Sequence, residues 1–405
     1  MTCRSCGAAV TRSFCDLGQS PLANSYVLPD RAAAQPRYPL HAYVCDICRL
    51  VQLAAFAPRE EIFGEYAYFS SFSSSWLQHA RQYADAMVER ASLNETSLVA
   101  EVASNDGYLL QYFAQRGVPV LGVEPAENVA VAARERGVRT EARFFGAEVA
   151  RALREEYGAA DLAIANNVIA HVPDLHDFIA GFEAILAPRG TLTIEFPHLL
   201  RLIEGGLWDT IYHEHFSYFS LHALQRALRE HALEVVDLDE LATHGGSLRL
   251  YVRHAGVETP SPSVMEFLEH EAAHGLLEPA TYDEFQSKAQ RKRDEVLAWL
   301  RQRQARGERV VCYGAPAKGN TLLNFCGVTA ADVAFTVDKN PHKQGHLLPG
   351  SLIPVAPPER LRDEKPDVVW ILPWNLREEI AQEIAYVREW GGRFAVAMPR
   401  LEVFA

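Results

Sequence analysis

The pattern of apolar and polar positions changes character three times along the chain. Residues 1 to about 60 carry few long periodic segments and several proline-marked turns, at Pro21, Pro29, Pro36, Pro39 and Pro58. From about residue 66 a helical period sets in, with Trp76, Ala80, Tyr83, Ala84 and Met87 on one stripe. Short apolar runs then alternate with helical stretches. They predict strands at 97–103, 118–123, 138–144, 161–165 and 191–196, helices at 108–115, 128–136, 146–156, 174–187 and 220–232, and closing strands near 234–238 and 247–253. Gly117 and Gly137 stand just past two of these helices, where the chain takes a left-handed turn that glycine adopts without strain. Strands separated by helices imply a parallel sheet covered on both faces, with the last two strands as its hairpin end.

After residue 255 the pattern shifts again. Pro260-Ser-Pro262 marks a break, and 264–306 reads as long helical material with Phe285, Ala289, Val296 and Leu300 on apolar stripes and Arg291-Lys292-Arg293 on a solvated face. A second, smaller alternation follows, with strands at 309–313, 335–338, 367–372 and 393–398 and a helix opened by 314–320. The expected fold class is α/β. An N-terminal segment (1–65) precedes a doubly wound, Rossmann-like domain (66–255) and a smaller Rossmann-like α/β domain (256–405).

Composition narrows the function. A chain of 405 residues with 48% apolar and 22% charged positions has ample core for two or three domains and is neither disordered nor fibrous. Its 39 basic and 52 acidic side chains leave a formal charge of −13, which opposes a polyanion-binding surface and argues against nucleic acid as a partner. No uncharged apolar run approaches the ~18 residues of a membrane span, and Met1-Thr-Cys-Arg-Ser-Cys6 has no apolar signal core. A cytoplasmic protein without a membrane partner is expected. The chain shows no internal repeat and no low-complexity segment.

Four of the seven cysteines form two identically spaced pairs, Cys3-x-x-Cys6 and Cys45-x-x-Cys48. Each pair places two thiolates on one side of a tight loop, and two such knuckles complete a tetrahedron around a structural zinc with no open position for substrate. The gap between them exceeds the usual zinc-ribbon spacing, and two disulfides or reduced thiols are the alternatives. Cys15 lies close enough in sequence to compete as a ligand, whereas Cys312 and Cys326 sit in apolar stretches and read as core.

In a doubly wound sheet the ligand lies at the carboxyl ends of the strands. Asn105, Asp106 and Gly107 make the turn after the first strand, and Glu124 ends the second, where an acid can hold a ribose diol. Glu101 and Glu124 are 23 residues apart, close to the ~20 between a glycine loop and its ribose acid. Ala103 and Asn105 stand where a dinucleotide loop would carry glycines, so the turn suits a cofactor without phosphates.

These residues resemble the S-adenosylmethionine-dependent methyltransferases. Pro21-Leu-Ala-Asn-Ser25, Tyr68-Phe-Ser-Ser-Phe-Ser73, Glu101-Val-Ala-Ser-Asn-Asp-Gly107, His171-Val-Pro173, Tyr212-His-Glu-His215 and Gly314-Ala-Pro-Ala-Lys-Gly319, with the paired knuckles, resemble more closely the C-methyltransferases of nucleotide-linked deoxysugar pathways. The resemblance runs over essentially the whole chain. It implies methyl transfer from S-adenosylmethionine to a ring carbon, C-3′ being favoured, of a dTDP-4-keto-6-deoxysugar made for antibiotics or surface polysaccharides. It further implies Glu101, Ala103, Asn105, Asp106, Gly107, Glu124, Pro125 and Asn128 around the cofactor, with Asn167 and His171 beyond the fourth strand, and it allows a monomer.

Methylation beside a ketone requires a base for the acidic C–H and a polar group for the enolate oxygen. Tyr212-His213-Glu214-His215 supplies both. His215 is the expected base, Tyr212 a donor to the oxyanion, and Glu214 a residue that fixes the imidazole or the sugar, while an extended chain would point His213 to the opposite side. Tyr66 matches a family position near the reacting centre. A packed polar loop or a metal site on His213 and His215 are the alternatives. In the last domain Lys318, Asn320 and Lys343 are expected to meet the sugar's diphosphate. The rival readings are methyl transfer to oxygen or nitrogen of another small molecule, and an oxidoreductase using residues 309–400 for NAD, whose loop however lacks GxGxxG.

Overall fold

The computed structural model describes residues 1–54 and 70–405. Three strands open the chain, β1 (Arg12–Ser20), β2 (Tyr38–Val44) and β3 (Val51–Leu53), in a region whose sequence shows no clear strand period. In β1 the neighbours Phe14 and Cys15 are both buried, which breaks the alternation that would announce a half-buried strand.

The chain forms two compact units, each assembled from separate stretches: Met1–Thr11, Val44–Leu199 and Phe216–Glu278 in the first, Arg12–Tyr43, Leu200–His215 and Pro279–Ala405 in the second. The second unit thus takes residues 12–43 and 200–215 from between the stretches that build the first.

The first unit is built on seven strands. β4 (Val99–Val102), β5 (Val120–Val123), β6 (Thr140–Glu141), β7 (Ala160–Asn166) and β8 (Leu186–Pro197) come first in the chain. After the two-residue β9 (Ser217–Tyr218), which pairs with β3, follow β10 (Leu233–Leu241) and β11 (Ser247–His254). The sheet order is β10-β11-β8-β7-β4-β5-β6, with β4 to β8 parallel and β10 and β11 as the antiparallel hairpin end. Strand order reverses between β4 and β7, so the carboxyl ends of these two strands flank the ligand crevice. β6 is shorter than the expected 138–144, and just beyond it Phe145 turns off the sheet edge to pack edge-on against Phe178 and tilted against Phe182, at ring separations of 5.7 and 4.8 Å. One face is covered by the helix Ser74–Arg90, whose N-cap Ser73 accepts from the Trp76 N–H. Its buried Ala80, Tyr83, Ala84 and Met87 pack with Val99, Leu109, Phe113 and Leu162.

The second unit has a six-stranded sheet, ordered β14-β13-β12-β15-β16-β17, of β12 (Val310–Tyr313), β13 (Thr336–Val337), β14 (Val355–Ala356), β15 (Val368–Ile371), β16 (Arg393–Val396) and β17 (Glu402–Phe404). All pairs are parallel except β16 with β17. Its order reverses between β12 and β15. The expected long helical region is three helices, Pro262–Ala273, Pro279–Asp283 and Phe285–Ala305, of which the first belongs to the first unit. Phe285, Ala289, Val296 and Leu300 are buried as the stripes require. Phe14 of β1 stacks on Phe285 at 4.4 Å, and Val27 bridges Leu347, so the N-terminal stretch is part of this unit's core. Among the described residues no helix is long and apolar enough to cross a membrane.

Candidate functional site

At the carboxyl end of β4 the backbone turns through three left-handed residues, Ala103 (φ 57°), Asn105 (φ 48°) and Gly107 (φ 77°). A Cβ on Gly107 would lie 2.9 Å from the Val138 side chain, so glycine is needed here for space as well as for conformation. Glu124, at the end of β5, closes the turn: its two carboxylate oxygens accept from the Asn105 N–H at 3.0 Å and the Ala126 N–H at 2.9 Å. Burial still pushes its carboxyl up to about 7. Glu101 is 1% exposed, and burial, with the nearby Glu124 and Asp106, raises its carboxyl well above the usual range against a hydrogen bond from Tyr108. Asp106 is buried on an ion pair with Arg136 at 2.6 Å and accepts from the Ser71 hydroxyl. Ser70 donates its N–H to Asn105 Oδ1 at 2.9 Å.

On the other flank of the crevice, Asn167 follows β7 with φ 54° and donates its N–H to Glu195 O at 2.7 Å. Both polar atoms of its amide are buried without a hydrogen-bond partner among the described residues. His171 ends a 3₁₀ turn, Ile169–His171, and is half-buried. Pro125 is half-buried after Glu124, and Asn128 is exposed in the first turn of the helix Glu127–Glu135. Tyr66 lies outside the described residues. The crevice therefore offers a buried acid at the end of β5, two further buried carboxyls and, among the described residues, an unpartnered amide, a donor and acceptor set that fits a cationic nucleoside. The Ser70, Ser71 and Arg136 clasp escaped the sequence reading, since nothing in the spacing of those residues ties them to Asp106.

The four knuckle thiols come together. Cys3, Cys6, Cys45 and Cys48 hold their Sγ atoms within 4.8 Å of one another, with Cys3–Cys48 and Cys6–Cys45 at 3.5 Å. Sulfurs about 2.3 Å from a tetrahedral zinc lie about 3.8 Å apart, so the residues fit the ion. The Gln52 amide donates to Cys3 Sγ at 3.2 Å and the Ile47 N–H to Cys45 Sγ at 3.4 Å, as the surroundings of a thiolate ligand should. Cys15 is not in this cluster, and Cys312 and Cys326 are buried core.

In the second unit, Tyr212 to His215 forms a tight turn closed by His215 N–H on Tyr212 O at 2.9 Å. The segment is thus a turn and not the extended chain that sequence alone also allowed. The turn brings the Tyr212 and His215 rings to 3.9 Å, while His213 is buried, with Nε2 donating to Pro39 O at 3.2 Å. His215 Nδ1 donates to Thr210 O at 2.9 Å, the bond that makes Nε2 the proton-accepting nitrogen of the neutral ring. Glu214 is 3% exposed and accepts from Asn24 Nδ2 at 3.2 Å; burial pushes its carboxyl up to about 7. Asn24 belongs to the Pro21–Ser25 motif, which is the only sequence signal for its presence here.

Around the loop after β12, Lys343 Nζ and the Tyr26 hydroxyl both donate to Ala315 O, the lysine at 2.8 Å. Asp338, at the end of β13, accepts from the Ala315 N–H at 2.7 Å. Asn320 donates to Ala23 O at 2.6 Å, and Lys318 to Asn375 Oδ1 at 3.1 Å. The three residues expected to meet a diphosphate therefore gather around one loop, and each also binds a protein acceptor.

Comparison with known proteins supplies the family. Three family profiles match the chain: a "Putative zinc binding domain" over residues 3–63, a methyltransferase domain over 76–238 and a C-methyltransferase C-terminal domain over 242–399. C-methyltransferase NovU of Streptomyces niveus is 38% identical over 405 residues, covering 100% of this chain and 96% of the relative. Among solved structures, 1,6-didemethyltoxoflavin-N1-methyltransferase of Burkholderia thailandensis is 18% identical over 51% of this chain and 95% of its own, at a TM-score of 0.37. Magnesium protoporphyrin IX methyltransferase of Synechocystis is 16% identical over 50% and 100%, at 0.36. Scores this low carry no argument beyond the matches in sequence.

Proposed function

The chain belongs to the C-methyltransferase family, as an S-adenosylmethionine-dependent enzyme with a structural zinc segment, and from that premise we propose that its acceptor is the ring carbon beside the ketone of a nucleotide-linked 4-keto-6-deoxysugar, C-3′ being the favoured position. The observation that carries this reading is the turn Tyr212–His215, which puts an imidazole whose Nδ1 is tied to Thr210 O beside a phenol and a buried carboxyl pushed up to about 7. That set suits a carbon acid. A hydroxyl or amine acceptor needs no group to steady an enolate.

His215 Nε2 takes the proton from the carbon next to the ketone, and the C–H electron pair moves onto the carbonyl oxygen. Glu214 keeps its proton up to about pH 7 and donates a hydrogen bond to that oxygen, with the Tyr212 hydroxyl as the second donor. Bound S-adenosylmethionine supplies an electrophilic methyl group. The substrate carbon gains that methyl as the pair returns and the sulfur–methyl bond breaks, its pair staying on S-adenosylhomocysteine, and the proton leaves His215 for solvent. Lys318, Asn320 and Lys343 hold the diphosphate as charge-assisted donors. Glu124 binds the ribose diol of the methyl donor, Glu101, Ala103, Asn105, Asp106, Gly107, Pro125 and Asn128 line its site, and Asn167 and His171 close it. Tyr66 is assigned to the reacting centre by family position.

The test is a panel of dTDP-4-keto-6-deoxysugars with S-adenosylmethionine, read by mass and by deuterium uptake at the methylated ring's C–H in heavy water. His215→Asn should lower kcat at least ~10²-fold. Wild-type turnover by that variant overturns the base assignment, and methylation without substrate C–H exchange overturns the enolate route.

A further inference from the structure

The carboxyl ends of β12 and β15 flank the point where the second sheet's strand order reverses, which is where such sheets place a nucleotide. Here the loops after those two strands meet the chain's own residues 208–211. Asp209, 1% exposed, accepts a hydrogen bond from the Trp374 indole N–H at 2.7 Å. Trp374 lies in the loop after β15 and carries the Lys318 ammonium over its ring at 5.0 Å. Burial pushes the Asp209 carboxyl up to about 6, and the charge of Lys318, in the first turn after β12, works against that burial. Beside Asp209 the fully buried Trp208 packs edge-on against Phe325 at 4.8 Å. On its other side Thr321 donates to Ile211 O at 3.2 Å. Both Phe325 and Thr321 belong to the helix Ala317–Cys326.

The next bonds in this chain of contacts reach the proposed base. Thr210 directly follows Asp209, and its carbonyl accepts from His215 Nδ1. Thr210 Oγ1 is itself tied to Leu207 O at 2.7 Å. The Asp209 carboxylate therefore fixes the peptide that fixes the imidazole. We propose that Asp209, held by Trp374, is a positioning residue for His215, so that the loops after β12 and β15 anchor the catalytic turn. This rests on the reading of His215 as the base.

The experiment uses the full zinc-loaded protein labelled with ¹⁵N-histidine, with His215→Asn as the assignment control. Wild type should show His215 as the Nδ1–H tautomer, and Asp209→Ala and Trp374→Phe should turn that signal into a tautomer mixture. Both should lower kcat about 10- to 100-fold, the scale of a small misplacement of a catalytic group, at unchanged S-adenosylhomocysteine affinity by calorimetry. Asp209→Asn, which keeps an oxygen for the indole N–H, should retain the tautomer and most of kcat. In the His215→Asn background Asp209→Ala should cost nothing further. A full additional loss in that double variant, or a wild-type tautomer and kcat in Trp374→Phe, overturns the proposal. If Asp209→Ala does not fold, Trp374→Phe removes the same bond with little change in volume. Should His215→Asn turn over normally, the base reading falls alone, because the tautomer readout still decides whether Asp209 positions the ring.

Discussion

The two doubly wound sheets of this chain start from the same plan and use their carboxyl edges in opposite ways. After β4 the turn stays open on itself, with left-handed residues at 103, 105 and 107, an unpartnered Asn167 amide across the crevice and Glu124 at the end of β5. After β12 the equivalent turn is packed shut. A Cβ on Gly314 would lie 2.5 Å from Pro373 Cδ, Ala315 is bound at both its N–H and its carbonyl, and Asp209 sits on Trp374. Each sheet has an acid in the ribose position, Glu124 and Asp338. The difference teaches that an acid in this position does not by itself make a second site for the methyl donor. What differs is the space and the amide beside it: among the described residues Asn167 keeps both amide atoms unpartnered next to the first turn, whereas Pro373 fills the room in front of Gly314 in the second.

The largest effect should come from the acid of the open sheet. If Glu124 holds the ribose diol as proposed, Glu124→Ala removes two charge-assisted bonds and should weaken S-adenosylhomocysteine roughly a hundredfold by calorimetry. Asp338→Asn should leave that affinity unchanged, and equal losses in the two variants would erase the contrast. Gly314→Ala forces a side chain into Pro373 at φ 89° and should cost about 1–3 kcal/mol of stability in a denaturant titration without touching cofactor affinity. A neutral result would mean that the second crevice is not closed by this contact.

A pH titration sharpens the same comparison. The Glu124 carboxyl of the ligand-free protein holds its proton up to about 7, and only the carboxylate accepts both ribose hydroxyls. Affinity for S-adenosylhomocysteine should therefore rise with pH through about 7 and fall up to about tenfold per unit below it. Glu124→Gln should flatten that dependence. The smallest effect expected is none at all: NAD added to the full protein should give no binding heat, whereas a micromolar response reversed by Gly314→Ala would show the second crevice to be open.

Much of this was legible in the residues. The strands at 99–102, 120–123 and 160–166 and the two knuckles follow from apolar periodicity and CxxC spacing, because both signals are local. The shortened β6 was not legible, since Phe145 is drawn off by Phe178 and Phe182 from a later helix. Nor was β1, where burial comes from Phe285, some 270 positions away. In the site, the Tyr212–His215 motif stood out by composition, but its conformation did not. An extended segment and a tight turn share one sequence, and the bond from His215 N–H to Tyr212 O decides between them.

The amino-acid sequence by itself determined the α/β class, the four zinc ligands, the turn after β4 with its acid at 124, and the family, because each is written in neighbouring residues or in fixed spacings. Tertiary structure alone decided which edge is open and which is filled. Asp209 meets Trp374 across 165 positions of chain, and Asn320 meets Ala23 across 297. No local rule reports such partners, because a buried N–H donates to whichever oxygen the fold brings to it.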